Sequence, residues 1–254
     1  MKEPIFILGA LREEISQIRK LMVVKEQLKA GHADVWLGVW EGVHIVLVRT
    51  GMGKECALDS LKKVLSSALP AIVLSIGYAG ALDLKLKVGD LVIADKVLEI
   101  DQATSFAKSF PVNPEQQDLF KMLTSQEQLV VYKGTLLTVN QVISDSSAKQ
   151  KLGSSHKALA VDMETSSLIA HCIEKKIPLI SVRAISDTME QSLINTNSFI
   201  DNEGRVSKIR AGWYVVTHPN SIKSFISLRS QSQKATSNLT EIIGLFLRNL
   251  GLKS

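Results

Sequence analysis

The chain is poor in residues that would tie it to a metal or a disulfide framework. Its 254 residues include two cysteines, and Cys56 and Cys172 lie far apart and match no metal-ligand spacing. The five histidines form no pair at such a spacing either, so we expect no metal site. We interpret both cysteines as core thiols of a protein kept in a reduced setting.

Long apolar runs are also missing. No run reaches the roughly 20 residues that a helix needs to cross a bilayer. At the N-terminus a lone Lys2 precedes a strand-like run and then acidic residues, a pattern unlike a signal peptide. We therefore expect a cytoplasmic protein.

The net charge of +5 is unevenly distributed. Residues 201–254 contain eight Lys/Arg and three Asp/Glu, and 8 − 3 = +5, so the first 200 residues are balanced. The body of the protein is therefore not expected to bind nucleic acid. Residues 221–228 and 238–250 predict two basic amphipathic helices, which would either cover the sheet or, through 221–250, contact a membrane surface.

Apolar strand-like runs alternate with helical segments along the chain, which predicts a single α/β domain over 1–254 with a mixed, mainly parallel twisted sheet. Residues 205–254 would form its basic helical end. Residues 101–118 are polar and contain prolines, so we expect a surface excursion there. Strands are predicted at 4–8, 35–40, 44–50, 71–76, 91–96, 134–139, 158–161 and 177–185, and helices at 11–20, 55–68, 115–124 and 146–152.

Acidic residues follow several of these strands. Glu164 follows the run at 158–161, Asp187 ends the run at 177–185, and Glu14 lies in the first turns of the helix after the first strand. Ligands of open α/β sheets bind beyond the carboxyl ends of the strands. Each glutamate could instead be an ordinary first-turn acid, so the argument depends on the convergence of all three.

Five short motifs occur in order along the chain: GALREE at 9–14, TGMGK at 50–54, GYAG at 77–80 with VGD at 88–90, VDME at 161–164, and RAISD at 183–187. Together they make the chain resemble the nucleoside phosphorylase superfamily, and most closely its methylthioadenosine/S-adenosylhomocysteine nucleosidase branch. The resemblance implies a three-layer sandwich and a purine nucleoside as the small-molecule partner, without a cofactor.

The same resemblance implies a role for each acid. Asp187 would protonate N7 of the purine, Glu14 would deprotonate the attacking water, and Glu164 would accept the ribose hydroxyls. Cleavage of a glycosidic bond passes through an oxocarbenium-like state, which explains the need for an acid and a base on opposite sides. Further site residues implied are Met163 beneath Glu164, Ser186 steadying Asp187, Arg183 supporting the same region, and, around base and ribose, Met52, Tyr78, Ala79, Gly80, Val142, Ile143 and Ala10.

Hydrolysis and phosphorolysis both remain open. Phosphorylases of this superfamily hold phosphate with several arginines, and one commonly lies in the strand that here spans 71–77, where this chain has none. Arg12 and Arg49 remain as candidate phosphate ligands. Because Glu14 matches the water-activating position, we favour hydrolysis of a 5′-substituted adenosine, releasing adenine.

The chain also departs from the nucleosidase branch. Val142 and Ile143 stand where an aromatic residue usually stacks on the base, and Tyr78 replaces a small residue. The C-terminal part is similar to hopanoid-associated phosphorylase-like nucleosidases, which act on an adenosyl-lipid. A non-catalytic nucleoside-binding protein is a further alternative. The resemblance implies a homodimer or larger assembly, and the apolar face of the helix at 55–68 could serve it.

Overall fold

The computed structural model describes residues 3–101, 106–114, 129–191 and 222–252. The helix predicted at 115–124 and the first part of the C-terminal region predicted over 205–254 lie outside these residues. The single domain expected over 1–254 therefore stays a prediction.

The strands are β1 (Ile5–Gly9), β2 (Val23–Ala30), β3 (Ala33–Trp40), β4 (Val43–Arg49), β5 (Ile72–Ala81), β6 (Leu91–Asp101), β7 (Phe106–Pro111), β8 (Val131–Thr138), β9 (Ala158–Asp162) and β10 (Leu179–Asp187). The helices are α1 (Arg12–Leu21), α2 (Lys54–Leu65), α3 (Ser146–His156), α4 (Thr165–Lys175) and α5 (Ile222–Leu252).

The centre of the sheet is parallel. Strands β4, β1, β5 and β10 lie side by side in the same direction, so their carboxyl ends share one edge. Antiparallel neighbours β3 and β2 extend the sheet beyond β4. Since ligands bind at such an edge, the arrangement places Gly9, Arg49 and Asp187 where a site is expected.

The other half of the sheet closes on itself. Strand β10 pairs with both β5 and β6, β6 pairs with β8, β8 pairs with β9, and β9 returns to β5. These five strands therefore form a closed ring. The strands before Glu164 and Asp187 are not neighbours, because β5 lies between β9 and β10. The two acids still meet, since β9 crosses the end of β5 at Gly80 and Ala81.

Helices cover both faces of the sheet. On one face α1 and α5 pack over a core that includes Ile15, Ile18 and Phe246. On the other face α2 and α4 pack over a core that includes Leu61 and Leu168. The mixed α/β three-layer sandwich expected from the sequence is confirmed.

The apolar side of α2 is largely packed inside the protomer. Ala57, Leu61 and Val64 are buried in the core beneath α2 and α4, whereas Leu58 and Leu65 are only partly buried. The dimer contact expected through this helix stays a prediction.

Two strands differ from the expectation. Residues 106–111 form β7, which pairs antiparallel with β6, although we expected a surface excursion over 101–118. Strand β2 was missed because it is an edge strand with exposed residues on both faces, so it lacks the alternation that marks a half-buried strand.

The described residues of the C-terminal part, Ile222–Leu252, form one helix, α5, where two helices were predicted. No glycine or proline interrupts residues 229–237, so nothing ends the helix between the two predicted segments. No helix within the described residues is long and apolar enough to cross a membrane.

Helix α3 is held against the loop after β5 by close packing at Gly153. A Cβ atom at this position would lie 2.1 Å from the carbonyl oxygen of Leu82, and a backbone atom cannot move aside cheaply. We predict that Gly153→Ala lowers the free energy of unfolding by about 1–3 kcal/mol, the usual range for overpacking. Chemical denaturation measures it. The control, Ser154→Ala on the exposed side of the same helix, should change stability by less than about 0.5 kcal/mol; equal effects would contradict the prediction.

Candidate active site

A cavity of about 220 Å³ opens at the carboxyl edge of β1, β5 and β10. Elements far apart in the sequence contribute to it, from α1 to the end of β10. Every site residue expected from the sequence lines it except Arg183. The lining comprises Ala10, Leu11, Glu14, Met52, Tyr78, Ala79, Gly80, Val139, Gln141, Val142, Ile143, Val161, Asp162, Met163, Glu164, Ser186 and Asp187.

Glu14 is held by backbone donors on both sides. The N–H of Leu11 donates to Oε2 at 2.8 Å, and the N–H of Tyr78 donates to Oε1 at 2.9 Å. The first contact also caps α1, so the ordinary first-turn role and the site role coincide. Burial raises the pKa of Glu14, and these N–H groups only partly oppose that effect.

Glu164 enters the cavity from the start of α4. The N–H of Gly53 donates to Oε1 at 2.8 Å, and Gly53 has a φ of +88°, which a glycine adopts without strain. Burial first, and then the charges of Asp162 and Glu14, raise the pKa of Glu164 to about 7.

Both carboxylate oxygens of Asp187 have side-chain partners. The hydroxyl of Ser186 donates to Oδ1 at 2.6 Å, as expected for a residue that steadies this acid. The ammonium group of Lys149 forms a salt bridge with Oδ2. Gly80 leaves the space beside the carboxylate open, because a Cβ atom there would lie 3.1 Å from Oδ2.

Sequence reasoning missed Lys149. Its side chain is fully buried on α3, and its ammonium group also donates to the carbonyl oxygens of Thr188 at 3.0 Å and Gln191 at 2.9 Å. The available signal was weak, because α3 has few apolar residues. Two residues one turn later, the partly buried Leu152 and the small Gly153, mark this side of the helix as the inner one.

Arg183 lies behind the cavity and is 2% exposed. Its guanidinium donates to Asp162 Oδ2 at 2.9 Å, to the carbonyl oxygen of Ser75 at 2.8 Å and to the hydroxyl of Thr165 at 2.7 Å. Asp162 lines the cavity from the other side and also accepts from the Thr138 hydroxyl at 2.7 Å. Arg183 thus fixes the end of β9 against β5 and β10, and this network was not foreseen.

Tyr78 is the single aromatic residue among the described lining residues. Its phenol hydroxyl lies away from the sheet, hydrogen-bonded to the Thr236 hydroxyl and 3.3 Å from the carbonyl oxygen of Ser232, both on α5. Val142 and Ile143, which stand where the sequence resemblance implies a stacking aromatic residue, also line the cavity. Among the described residues, no three His, Cys, Asp or Glu side chains are placed to hold a metal ion.

Comparison with known proteins decides the family. A model of the "Phosphorylase superfamily" matches residues 4–211, well over half of the chain. The chain belongs to this superfamily. A Staphylococcus aureus 5′-methylthioadenosine/S-adenosylhomocysteine nucleosidase is 28% identical over 193 residues, which cover 71% of this chain and 85% of the relative.

Several solved structures share the fold. Futalosine hydrolase of Helicobacter pylori superposes with a TM-score of 0.77 at 22% identity, covering 97% of this chain and 98% of the other. A Neisseria meningitidis 5′-methylthioadenosine/S-adenosylhomocysteine nucleosidase in complex with methylthio-immucillin-A gives a TM-score of 0.76 at 19% identity, covering 97% and 99%. At these identities the likeness establishes the architecture.

For a member of this superfamily, the charge of the cavity bears on whether the site could bind phosphate. The two arginines considered as phosphate ligands do not line it. Arg49 is paired with Asp34 through contacts of 2.6 and 2.8 Å, and Arg12 is exposed. Among the described lining residues there is no lysine or arginine, whereas four are acidic: Glu14, Asp162, Glu164 and Asp187.

Gly77 allows Glu14 to approach β5. A Cβ atom at Gly77 would lie 2.9 Å from Oε1 and 3.2 Å from Cδ of Glu14, so Gly77→Ala must displace that carboxyl group. We predict that kcat for nucleoside cleavage falls at least tenfold while the protein stays folded, measured by steady-state kinetics and circular dichroism. Wild-type turnover in a folded Gly77→Ala variant would show that the position of Glu14 does not matter.

The pKa of Glu164, about 7, predicts a pH-dependent stability. Its ordinary value is 4.5, so between these two pH values the folded protein holds a proton that the unfolded chain has released. The free energy of unfolding should therefore fall as pH rises from about 4.5 to about 7. Glu164→Gln removes this contribution, so its Tm should rise relative to wild type across that interval.

Differential scanning fluorimetry from pH 5 to 8 measures the difference between the two proteins. Glu174→Gln, an exposed change on the same helix, is the matched control and should give no such trend. Parallel curves for wild type and Glu164→Gln would contradict the assignment.

Proposed function

We propose that this protein is an N-ribosyl hydrolase that cleaves the glycosidic bond of a 5′-substituted adenosine and releases adenine. One observation carries the proposal. Glu14, Glu164 and Asp187 enter one small cavity from three different elements, and no described cation lines that cavity. A site that binds phosphate as a second substrate would need positive charge there.

In this proposal each acid has one task. Asp187 donates a proton to N7 of the purine as the bond between C1′ and N9 breaks and its electron pair moves to the base. Glu14 takes a proton from the water whose oxygen bonds to C1′. The raised pKa of Glu14 suits this task, because a base with a higher pKa accepts a proton more readily.

Glu164 and Met163 hold the ribose. Ionised Glu164 accepts hydrogen bonds from the sugar hydroxyls, and Gly53 keeps its other side fixed. The remaining lining is largely apolar, including Met52, Val142 and Ile143, and it excludes water from the base and the 5′ group. In this setting the charge that develops in the transition state is poorly screened, so the placed carboxyl groups act strongly.

The relative that is 28% identical acts, by its name, on methylthioadenosine and S-adenosylhomocysteine, which supports a 5′-substituted adenosine here. A structural neighbour is named for futalosine, so that nucleoside belongs in the same substrate panel. The adenosyl-lipid alternative rests on the C-terminal sequence alone, as does the membrane-surface contact through 221–250. The homodimer or larger assembly also stays a prediction.

Activity with and without phosphate tests the reaction type. Methylthioadenosine, S-adenosylhomocysteine, adenosine, inosine and futalosine are incubated with the protein, and base and sugar products are separated by chromatography. We expect adenine and the free 5′-substituted ribose at equal rates in both buffers. A sugar 1-phosphate that forms only with phosphate would establish the phosphorylase alternative.

Variants test the residue roles. We predict that Asp187→Asn and Glu14→Gln each lower kcat by roughly 10²–10⁴-fold, the usual contribution of a positioned acid or base. Glu174→Gln, far from the cavity lining, is the control and should keep wild-type kcat. Equal adenine release by wild type and Asp187→Asn would remove the catalytic assignment, and no release by wild type from any nucleoside would favour a binding protein.

A further inference from the structure

Lys149 is the buried cation nearest to the chemistry just proposed. Its ammonium group has three hydrogen-bond donors, and the structure gives it three acceptors: Asp187 Oδ2, the Thr188 carbonyl and the Gln191 carbonyl. The side chain is fully buried. Lys149 is therefore held in one position. In it, the ammonium group contacts the carboxyl group of Asp187, which is expected to protonate the base.

Burying a lysine is unfavourable unless its charge is paired, and replacing a buried ion pair by apolar residues is often neutral or stabilising. Stability alone is thus a weak reason for a lysine here. The partner of Lys149 says more about why a lysine is present. Lys149 reaches across from α3 to the last residue of β10, where Asp187 faces the cavity beside Gly80.

The contact between Lys149 and Asp187 can act on the proton transfer itself. When Asp187 gives its proton to N7, a carboxylate forms in a buried, largely apolar cavity. An adjacent ammonium group stabilises that negative charge, and it does so most strongly after the proton has left. An interaction that strengthens towards the transition state lowers the barrier, whereas one of constant strength does not.

We propose that Lys149 is a positioning residue for Asp187: it fixes the orientation of the acid and stabilises the carboxylate formed as the leaving base is protonated. The hydroxyl of Ser186 holds the other oxygen, so the two partners together leave the carboxyl group one orientation towards the cavity. The inference rests on the proposed hydrolase function and extends it to a residue outside the cavity lining.

The experiment compares two leaving groups in the full-length enzyme. One substrate is the 5′-substituted adenosine that wild type cleaves best, whose base must be protonated to leave. The other is the 4-nitrophenyl riboside with the same 5′ substituent, whose nitrophenolate leaves without protonation. The variants are Lys149→Met, which removes the charge at similar size, and Lys149→Gln, which keeps donors for the carbonyl oxygens.

For the adenosine substrate we expect Lys149→Met and Lys149→Gln to lose roughly 10²–10³-fold in kcat, with KM within about threefold of wild type. For the nitrophenyl riboside the loss should stay under about tenfold. Asp187→Asn should give the same selective pattern. Lys151→Met, on the exposed side of the same helix, should match wild type with both substrates.

A merely structural role predicts a different result. If folded variants lose activity on both substrates equally, or raise KM without lowering kcat, the proposal is wrong. If wild type does not cleave the nitrophenyl riboside, the adenosine substrate alone decides. A lower kcat of the Lys149 variants with KM near wild type then supports the proposal, and a raised KM with unchanged kcat contradicts it. If neither variant folds, the ion pair serves folding and the proposal falls. Wild-type rates in both variants overturn the inference while the hydrolase function stands; an inactive wild type overturns the function.

Discussion

Keeping several carboxyl groups buried in one small cavity is the constraint on which the rest of this structure depends. Carboxylates that share a dry space repel one another, and each also loses its hydration. Here each acid is met by donors that the fold itself supplies: backbone N–H groups for Glu14, the N–H of Gly53 for Glu164, and Ser186 with Lys149 for Asp187. The fold can be understood as the scaffold that brings these donors together.

These environments differ, and the differences give the acids distinct properties. Glu14 and Glu164 have neutral backbone partners, and burial raises the pKa of both. Within the part of the chain that the structure describes, Asp187 alone among the three has a cation in contact. Asp162 has a cation as well, but it is Arg183, which is directed into the protein and holds strands together. Under the proposed function, similar side chains at the same sheet edge act as a base (Glu14), a ligand for the sugar hydroxyls (Glu164) and an acid (Asp187), while Asp162 is held in the structural network of Arg183.

Much of the candidate site could be predicted from the sequence, because the ends of apolar strands can be recognised there. The apolar runs before Asp187 and Glu164, and the glycines at 9, 53, 77 and 80, place these residues at the carboxyl edge of a sheet without knowledge of the pairing. The ring of strands could not be predicted, because it depends on β9 crossing the end of β5, a contact between residues about 80 positions apart.

Lys149 was missed for a related reason. Its partner Asp187 is 38 residues away in the chain, and α3 has too little apolar periodicity to reveal which side is buried. Strand β2 escaped because both of its faces are exposed. Local pattern identifies residues at strand ends, whereas a buried ion pair between two elements is visible only after they are packed together.

The closed ring of strands also affects how the chain folds while it is being synthesised. Strand β10 pairs along the free edge of β5 and against β6, both of which leave the ribosome about 80 or more residues earlier. Until β10 arrives, β5 presents an unpaired apolar edge, the kind of surface that promotes association between nascent chains. Pairings of such long sequence separation also form slowly. The last strand of the ring carries Asp187, so the arrival of the acid and the closing of that edge are the same event.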